Sequence, residues 1–245
     1  MMTSEKMKLI NGLQIQGMDG DIEGNINAFI KQNIEMNKQK AKMAEMRKRQ
    51  EEINRLLEKS GIGKKFKKRT FENFNVKNTN ISIKKAHEEA INFANKFPNV
   101  ENGLLLMGNP GTGKTHLAAA IANYLINKLY SVIFGNVTDI ITMIKSTYEK
   151  DAEITELELI NTLTKTDLII IDDLGKEYAT ENTKTLLYQI INRLYEDEKI
   201  IIVTTNCTSK EIIKKYGDRG EPIISRLSEM CKPLQMSGED WRLKK

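Results

Sequence analysis

Short apolar runs alternate with stretches of helical periodicity from about residue 80 onward. The runs predict strands at 104–107, 132–134, 168–171, 200–203 and 234–236. Before and between them, apolar positions three and four residues apart predict helices near 82–97, 114–129, 138–149, 155–165, 181–196, 208–216 and 222–230. The first of these helices is predicted to be capped by Ser82 and to end before Pro98. Apolar, β-branched strands between helices are typical of a parallel sheet covered on both faces. The pattern therefore predicts an α/β fold.

The region before this alternation has a different pattern. From Asn25 to about Ser60 helix formers dominate and proline is absent. Apolar residues form one stripe near its start and another in its second half (Ile26, Phe29, Ile30 and Ile34; Met43 and Met46, then Ile53, Leu56 and Leu57). This predicts one long helix or a helical hairpin. The stripes need either a partner or the chain's own second domain to bury them.

Composition and charge narrow the possible classes of protein. Of 245 residues, 40% are hydrophobic and 29% charged, which allows a sizeable core. We expect no membrane association, because no apolar run approaches the ~20 residues of a membrane span. The two cysteines, Cys207 and Cys231, are too few for a disulfide scaffold, and the simplest location is a reducing cytoplasm.

The net charge of +5 is concentrated in one segment. Residues 31–69 hold 14 Lys/Arg and 5 Asp/Glu, a net charge of +9, whereas residues 70–245 are nearly neutral. A basic segment of this kind favours an acidic partner, either nucleic acid or an acidic protein face.

One loop carries the strongest chemical signal in the chain. It fits the phosphate-loop pattern G-x-x-x-x-G-K-[ST] and lies between a predicted strand and a predicted helix: Gly108, Asn109, Pro110, Gly111, Thr112, Gly113, Lys114 and Thr115. Backbone N–H groups of such a loop surround phosphate oxygens, and the positive end of the helix dipole faces the same anion. Lys114 is predicted to reach the β- and γ-phosphates and Thr115 to bind Mg²⁺. We expect the loop and the adjacent His116 to contact ATP.

Two carboxylates follow the apolar run at 168–171. A buried strand that ends in acids, about 55 residues after a phosphate loop, indicates the second half of an ATP site. Asp172 is predicted to hold Mg²⁺, and Asp173 to orient or polarise the attacking water. Asp173 is one methylene shorter than the Glu common at this position.

Further candidates follow the later strands. Asn206, after the strand at 200–203, is predicted to hydrogen-bond the attacking water or the γ-phosphate. Arg226 is the preferred candidate for an arginine finger that reaches a neighbouring subunit's nucleotide, with Arg219 in reserve. Arg242 is a candidate nucleotide contact, with a solvated C-terminal tail as its alternative.

The order and spacing of these motifs resemble a known group of ATPases. TFENF at 70–74, GNPGTGKTHLA, IIIDDLG, VTTN and ISRL together resemble the DnaC/DnaI helicase-loader and IstB group of AAA+ ATPases. The resemblance implies a five-stranded parallel sheet in the order 5-1-4-3-2, no large lid domain, and binding of ATP and Mg²⁺. The resemblance covers residues from about 60 to the end. Together with the helical and basic patterns before it, it predicts a helical partner-binding segment (1–60), a basic linker (61–69) and an AAA+ ATPase domain (70–245).

Three functions fit these features. The first is an ATP-dependent helicase loader, whose N-terminal helices bind the replicative DNA helicase and whose ATPase domain binds single-stranded DNA. Such a protein would assemble into a homo-oligomer when ATP is bound. The second is an IstB-type transposition helper ATPase, and the third is an adaptor that binds nucleotide without hydrolysing it.

Overall fold

The computed structural model describes residues 22–59, 68–77, 79–148 and 155–243. Side chains are described in these ranges except at 22–25, 52–59, 156–157 and 242. The predicted linker at 61–69 thus lies outside the described residues except for Lys68 and Arg69. No helix in the described part of the chain combines the length and the apolar character needed to cross a membrane.

A five-stranded, fully parallel sheet forms the centre of the structure. Its strands are β1 (Gly103–Met107), β2 (Val132–Asn136), β3 (Leu168–Leu174), β4 (Ile201–Thr205) and β5 (Cys231–Gln235). They lie in the order β2-β3-β4-β1-β5. This confirms the α/β class and the predicted strand order.

The described part of the chain contains eight α-helices. They are α1 (Ile22–Lys59), α2 (Ile81–Lys96), α3 (Lys114–Asn127), α4 (Val137–Ser146), α5 (Glu156–Lys165), α6 (Glu181–Glu196), α7 (Ser209–Tyr216) and α8 (Gly220–Met230). Helices α2 to α8 cover the two faces of the sheet. Short 3-10 turns span Gly217–Arg219 and Trp241–Leu243.

Successive strand residues supply two separate cores. On one face Leu104, Leu106, Ile170 and Ile202 pack with α2 and α3. On the other face Leu105, Ile171 and Val203 pack with helices α4 to α8. Because side chains alternate across a strand and both faces are covered, the strands are continuously apolar.

Three predicted boundaries need correction. Helix α2 begins after Asn80, whose side chain accepts from the Ser82 N–H, so Ser82 is not the cap. Strand β3 does not end at Ile171 but continues through Asp172 and Asp173 to Leu174. Strand β5 begins at Cys231, three residues before its predicted start.

Residues 22–59 form a single helix and not a hairpin, since α1 runs unbroken from Ile22 to Lys59. The chain divides into two compact units within this helix, between Ala44 and Glu45. In the first unit, Phe29 and Ile34 are exposed. In the second, the Gln50 side chain accepts from the Val132 N–H (2.8 Å) and so pairs with the edge strand β2.

Candidate nucleotide site

A cavity of about 380 Å³ opens at the carboxyl ends of β1, β3 and β4. Most of the predicted nucleotide residues line it: Pro110, Gly111, Gly113, Lys114, Thr115, His116, Asp172, Asp173 and Asn206. Arg69, Lys176 and Trp241, which the sequence did not single out, line it as well. Parallel strands bring these segments together because their carboxyl ends share one edge of the sheet.

Two glycines of the phosphate loop cannot be replaced without strain. Gly111 has φ +75° and Gly113 has φ +98°, in the left-handed region that favours glycine. A Cβ on Gly111 would lie 1.8 Å from Asp240 Oδ1, and one on Gly113 would lie 2.5 Å from the Phe74 ring. The loop therefore depends on glycine both for its backbone conformation and for its packing.

The loop surrounds the ammonium group of Lys114. This side chain is buried at the start of α3 and donates to the carbonyls of Gly108 (2.7 Å) and Asn109 (2.6 Å). The Thr112 hydroxyl also donates to the Asn109 carbonyl (2.9 Å). These bonds hold the positive charge of Lys114 inside the loop, where it would attract the oxygens of a bound polyphosphate.

Asp172 lies at the base of the cavity and is only 4% exposed. Its Oδ1 accepts from the hydroxyls of Thr115 (2.8 Å) and Thr204 (2.6 Å). Burial raises the pKa of Asp172, and the two hydroxyls act against that rise. A divalent cation beside the carboxylate would favour its charged form.

Asp173 has an unusual backbone. Its φ is +58°, which is uncommon for a residue other than glycine, and the register of β3 against β4 shifts here. Its N–H donates to the Thr204 hydroxyl (2.9 Å), and its Oδ2 accepts from Lys176 Nζ (2.6 Å). Irregular strand geometry of this kind re-aims side chains and is common beside active sites.

Hydrogen bonds to Lys215 and Tyr216 fix the loop at 175–177, which follows Asp173. The buried Glu177 carboxylate accepts from the Tyr216 hydroxyl (2.7 Å) and from the Gly175 N–H (3.0 Å). Lys215 donates to the carbonyls of Gly175 (2.7 Å) and Glu177 (2.6 Å). The loop is therefore anchored to α7 while Lys176 remains exposed at the cavity.

His116 connects the phosphate loop to the TFENF segment. Its Nε2 lies 3.0 Å from the Thr70 carbonyl and 2.8 Å from Asn73 Oδ1, and since both are acceptors this nitrogen carries the proton. Its ring meets the Phe74 ring edge-on at 5.2 Å. Burial lowers the pKa of His116, which favours the neutral form of the ring, and the bond to the Thr70 carbonyl acts in the opposite direction.

The candidate arginines lie elsewhere. Arg226 is not among the described residues that line the cavity. Its guanidinium packs over the rings of Tyr188 (5.1 Å) and Tyr195 (5.6 Å). Its buried Nε has no hydrogen-bond partner among the described groups. Arg219 lies 3.7 Å from Glu181. Arg242 is in the turn Trp241–Leu243, and its side chain lies outside the described part of the structure.

The residues at the cavity fit ATP and Mg²⁺. A loop that a Cβ would obstruct, with Lys114 inside it, suits a polyphosphate. The Thr115 hydroxyl and the Asp172 carboxylate share a hydrogen bond and provide the hard oxygen ligands that Mg²⁺ prefers. In ATPases Mg²⁺ takes most of its ligands from phosphates and water and only a few from the protein, so two protein ligands are sufficient.

Comparison with known proteins identifies the fold and the family. The family model described as IstB-like ATP binding protein matches residues 9–245. The replicative helicase loader DnaC of Buchnera aphidicola subsp. Baizongia pistaciae is 31% identical over 175 residues, which are 71% of this chain and 69% of that protein.

Two solved structures are similar to this one. The DnaC helicase loader superposes with a TM-score of 0.61 at 27% identity, over 71% of this chain and 99% of that one. The replication initiator DnaA bound to AMPPCP and single-stranded DNA superposes with a TM-score of 0.58 at 26% identity, over 70% of this chain and 50% of that one.

Proposed function

The chain belongs to the IstB-like family of ATP-binding proteins, in the group that includes the DnaC helicase loaders, and on that premise we propose that it is an ATP-hydrolysing loader of a replicative DNA helicase. The observation that carries the ATPase part is that Lys114, the Thr115–Asp172 pair and Asp173 all line the same cavity.

Each of these groups has a role in hydrolysis. The loop N–H groups and Lys114 bind the phosphates, while Thr115 and Asp172 would hold Mg²⁺, which would supply neutralisation of phosphate charge. Asp173 and Asn206 orient the attacking water from the ends of β3 and β4. Asp173 accepts a proton from that water as its oxygen bonds to the γ-phosphorus, and the bond between the γ-phosphorus and the β–γ bridging oxygen breaks, so that ADP and phosphate are the products.

The remaining cation comes from a second subunit in this proposal. Arg226 is not among the described residues that line the cavity of its own subunit, and its guanidinium packs over two tyrosine rings of α6. An arginine contributed in trans stabilises the charge that develops during phosphoryl transfer. We therefore expect full turnover only in a homo-oligomer that forms with ATP.

The helicase binds to α1 in this proposal. Phe29, Ile34, Met36 and Met43 are large apolar residues that stay exposed on this helix. The +9 charge of residues 31–69 suits either DNA or an acidic face of the helicase.

Single-stranded DNA is the second partner in this proposal. The similar DnaA structure is bound to single-stranded DNA. A loader acts on the replicating chromosome, so we place the protein in the cytoplasm.

An affinity experiment with the full-length chain tests the loader function. We expect the wild-type protein to retain the host's replicative helicase, and the double variant F29S/I34S to lose it while its ATPase rate stays unchanged. The variant K114A should lose ATP turnover. Failure of the wild-type protein to bind the helicase at micromolar concentration would contradict the loader role and leave the ATPase role untouched.

The family model itself favours a second candidate, an IstB-type transposition helper. Duplex DNA would then stimulate ATP turnover more than single-stranded DNA, whereas a loader should respond to single strands. Absence of turnover with either DNA, together with tight nucleotide binding, would instead support the non-hydrolysing adaptor.

A further inference from the structure

Thr204 forms hydrogen bonds with both aspartates of the candidate site. It is on β4, has no exposed surface, and is not among the described residues that line the cavity. Its hydroxyl donates to Asp172 Oδ1 (2.6 Å) and accepts from the Asp173 N–H (2.9 Å). One buried group therefore contacts the candidate metal ligand and the backbone of the candidate water-activating residue.

Both bonds require a hydroxyl. Asp172 Oδ1 needs a donor and the Asp173 N–H needs an acceptor, and among side chains of this size only serine and threonine supply both from one atom. Valine has the same shape, but it leaves the buried Asp172 Oδ1 with one donor fewer and removes the acceptor of the partly buried Asp173 N–H. Unsatisfied buried groups of this kind are costly, more so when they are charged.

The second bond acts where β3 is irregular. Asp173 has φ +58° and the β3–β4 register shifts at this point, so its N–H has left the regular ladder. Thr204 takes the place of the missing ladder partner. The direction in which the Asp173 side chain points into the cavity thus depends on the Thr204 hydroxyl.

We propose that Thr204 is a positioning residue for ATP hydrolysis, one that sets the orientation of Asp172 toward Mg²⁺ and of Asp173 toward the attacking water. The proposal rests on the proposed ATPase function. Thr204 does not contact nucleotide; it acts through the two aspartates.

The next residue provides a matched control. Thr205 is equally buried on the same strand, and its hydroxyl also makes two bonds, donating to the Leu174 carbonyl (2.6 Å) and accepting from the Cys207 N–H (3.0 Å). Neither bond involves a carboxylate. The variants T204V and T205V therefore remove the same chemical group from equally buried positions.

The experiment compares T204V, T204S and T205V in the full chain. We expect T204V to lower kcat about 10- to 100-fold, the loss that corresponds to a hydrogen bond with a charged group. We expect T204S and T205V to stay within about threefold of wild type. A second readout is the affinity for a fluorescent ATP analogue with Mg²⁺ and with EDTA: T204V should lose most of the gain that Mg²⁺ provides, and T204S should keep it.

Two results would overturn the proposal: a T204V variant that matches T205V in both readouts, or a T204S variant as impaired as T204V, which would indicate methyl packing. If T204V does not fold, T204A removes the hydroxyl without a branched side chain and is judged by the same criteria. If wild-type protein binds ATP but does not hydrolyse it, the proposed ATPase function fails, and the Mg²⁺ dependence of binding still decides the role of Thr204.

Discussion

Replacing Lys176 with methionine tests whether its ion pair with Asp173 restrains hydrolysis. Lys176 Nζ lies 2.6 Å from Asp173 Oδ2, with the two side chains 55% and 28% exposed. Pairs this exposed contribute about 0.2–1 kcal/mol. Because about 1.4 kcal/mol changes a rate tenfold, freeing the carboxylate oxygen for the attacking water should raise kcat by at most about fivefold.

The assay is steady-state ATP hydrolysis at saturating ATP and Mg²⁺. Lys184 offers a matched control, since it pairs with Glu181 at the same 2.6 Å and the same i,i+3 spacing, away from the cavity. We expect K184M to leave kcat unchanged and K176M to raise it without altering KM for ATP. A fall in kcat with a rise in KM would refute the reasoning, because it would mean that Lys176 binds the phosphates. An unchanged kcat would refute it too.

Three further predictions concern other parts of the structure. In Y216F, loss of the hydroxyl that donates to Glu177 should lower the free energy of unfolding by about 2 kcal/mol in urea titrations at neutral pH. Burial raises the pKa of Tyr216 above its value in the unfolded chain, which is about 10. The difference in unfolding free energy between wild type and Y216F should therefore be complete below about pH 10 and should shrink as the pH rises above that value. A difference that stays constant above pH 10 would contradict this reasoning. R226A should lose ATP turnover. It should regain part of that turnover when it is mixed with D173A subunits, which lack the water-activating carboxylate but still supply Arg226. If mixing restores no turnover, Arg226 does not act in trans. G113A, whose new methyl would meet the Phe74 ring at 2.5 Å, should bind a fluorescent ATP analogue at least about tenfold more weakly, and wild-type affinity would contradict the strain argument.

The sheet could be predicted because its central strands are buried on both faces. Ile169, Ile170 and Ile171 are all buried, so their run is apolar without interruption. Strand β5 was predicted too short because it lies at the edge of the sheet. There Lys232 and Pro233 are exposed, and edge strands tolerate such residues.

The phosphate loop and the two aspartates could also be predicted, since their chemistry lies within short segments. Arg69 and Trp241 could not, because they reach the cavity only after segments distant in sequence fold together. Their signals were weak: Arg69 belongs to a basic linker, and Trp241 is the sole tryptophan of the sequence. Lys176 lies only three positions after Asp173, but nothing in the residue type indicated that it lines the cavity. Thr204 had a clearer signal, a hydroxyl residue at the end of a buried strand, but its two partners lie on another strand.

The backbone at Asp173 gives a physical reason for the residue found there. Position 173 has φ +58°, where most side chains are strained and where Asp is more readily accepted than Glu, because its short polar side chain can bond locally. Asp173 makes such local contacts: its side chain pairs with Lys176, and its carbonyl accepts from the Lys176 N–H (3.1 Å). A glutamate at this position would gain reach but would fit the left-handed backbone less well. The shorter carboxylate thus suits the conformation that the shift in β3 imposes, and in the proposed mechanism the attacking water would have to lie correspondingly closer to the end of the strand.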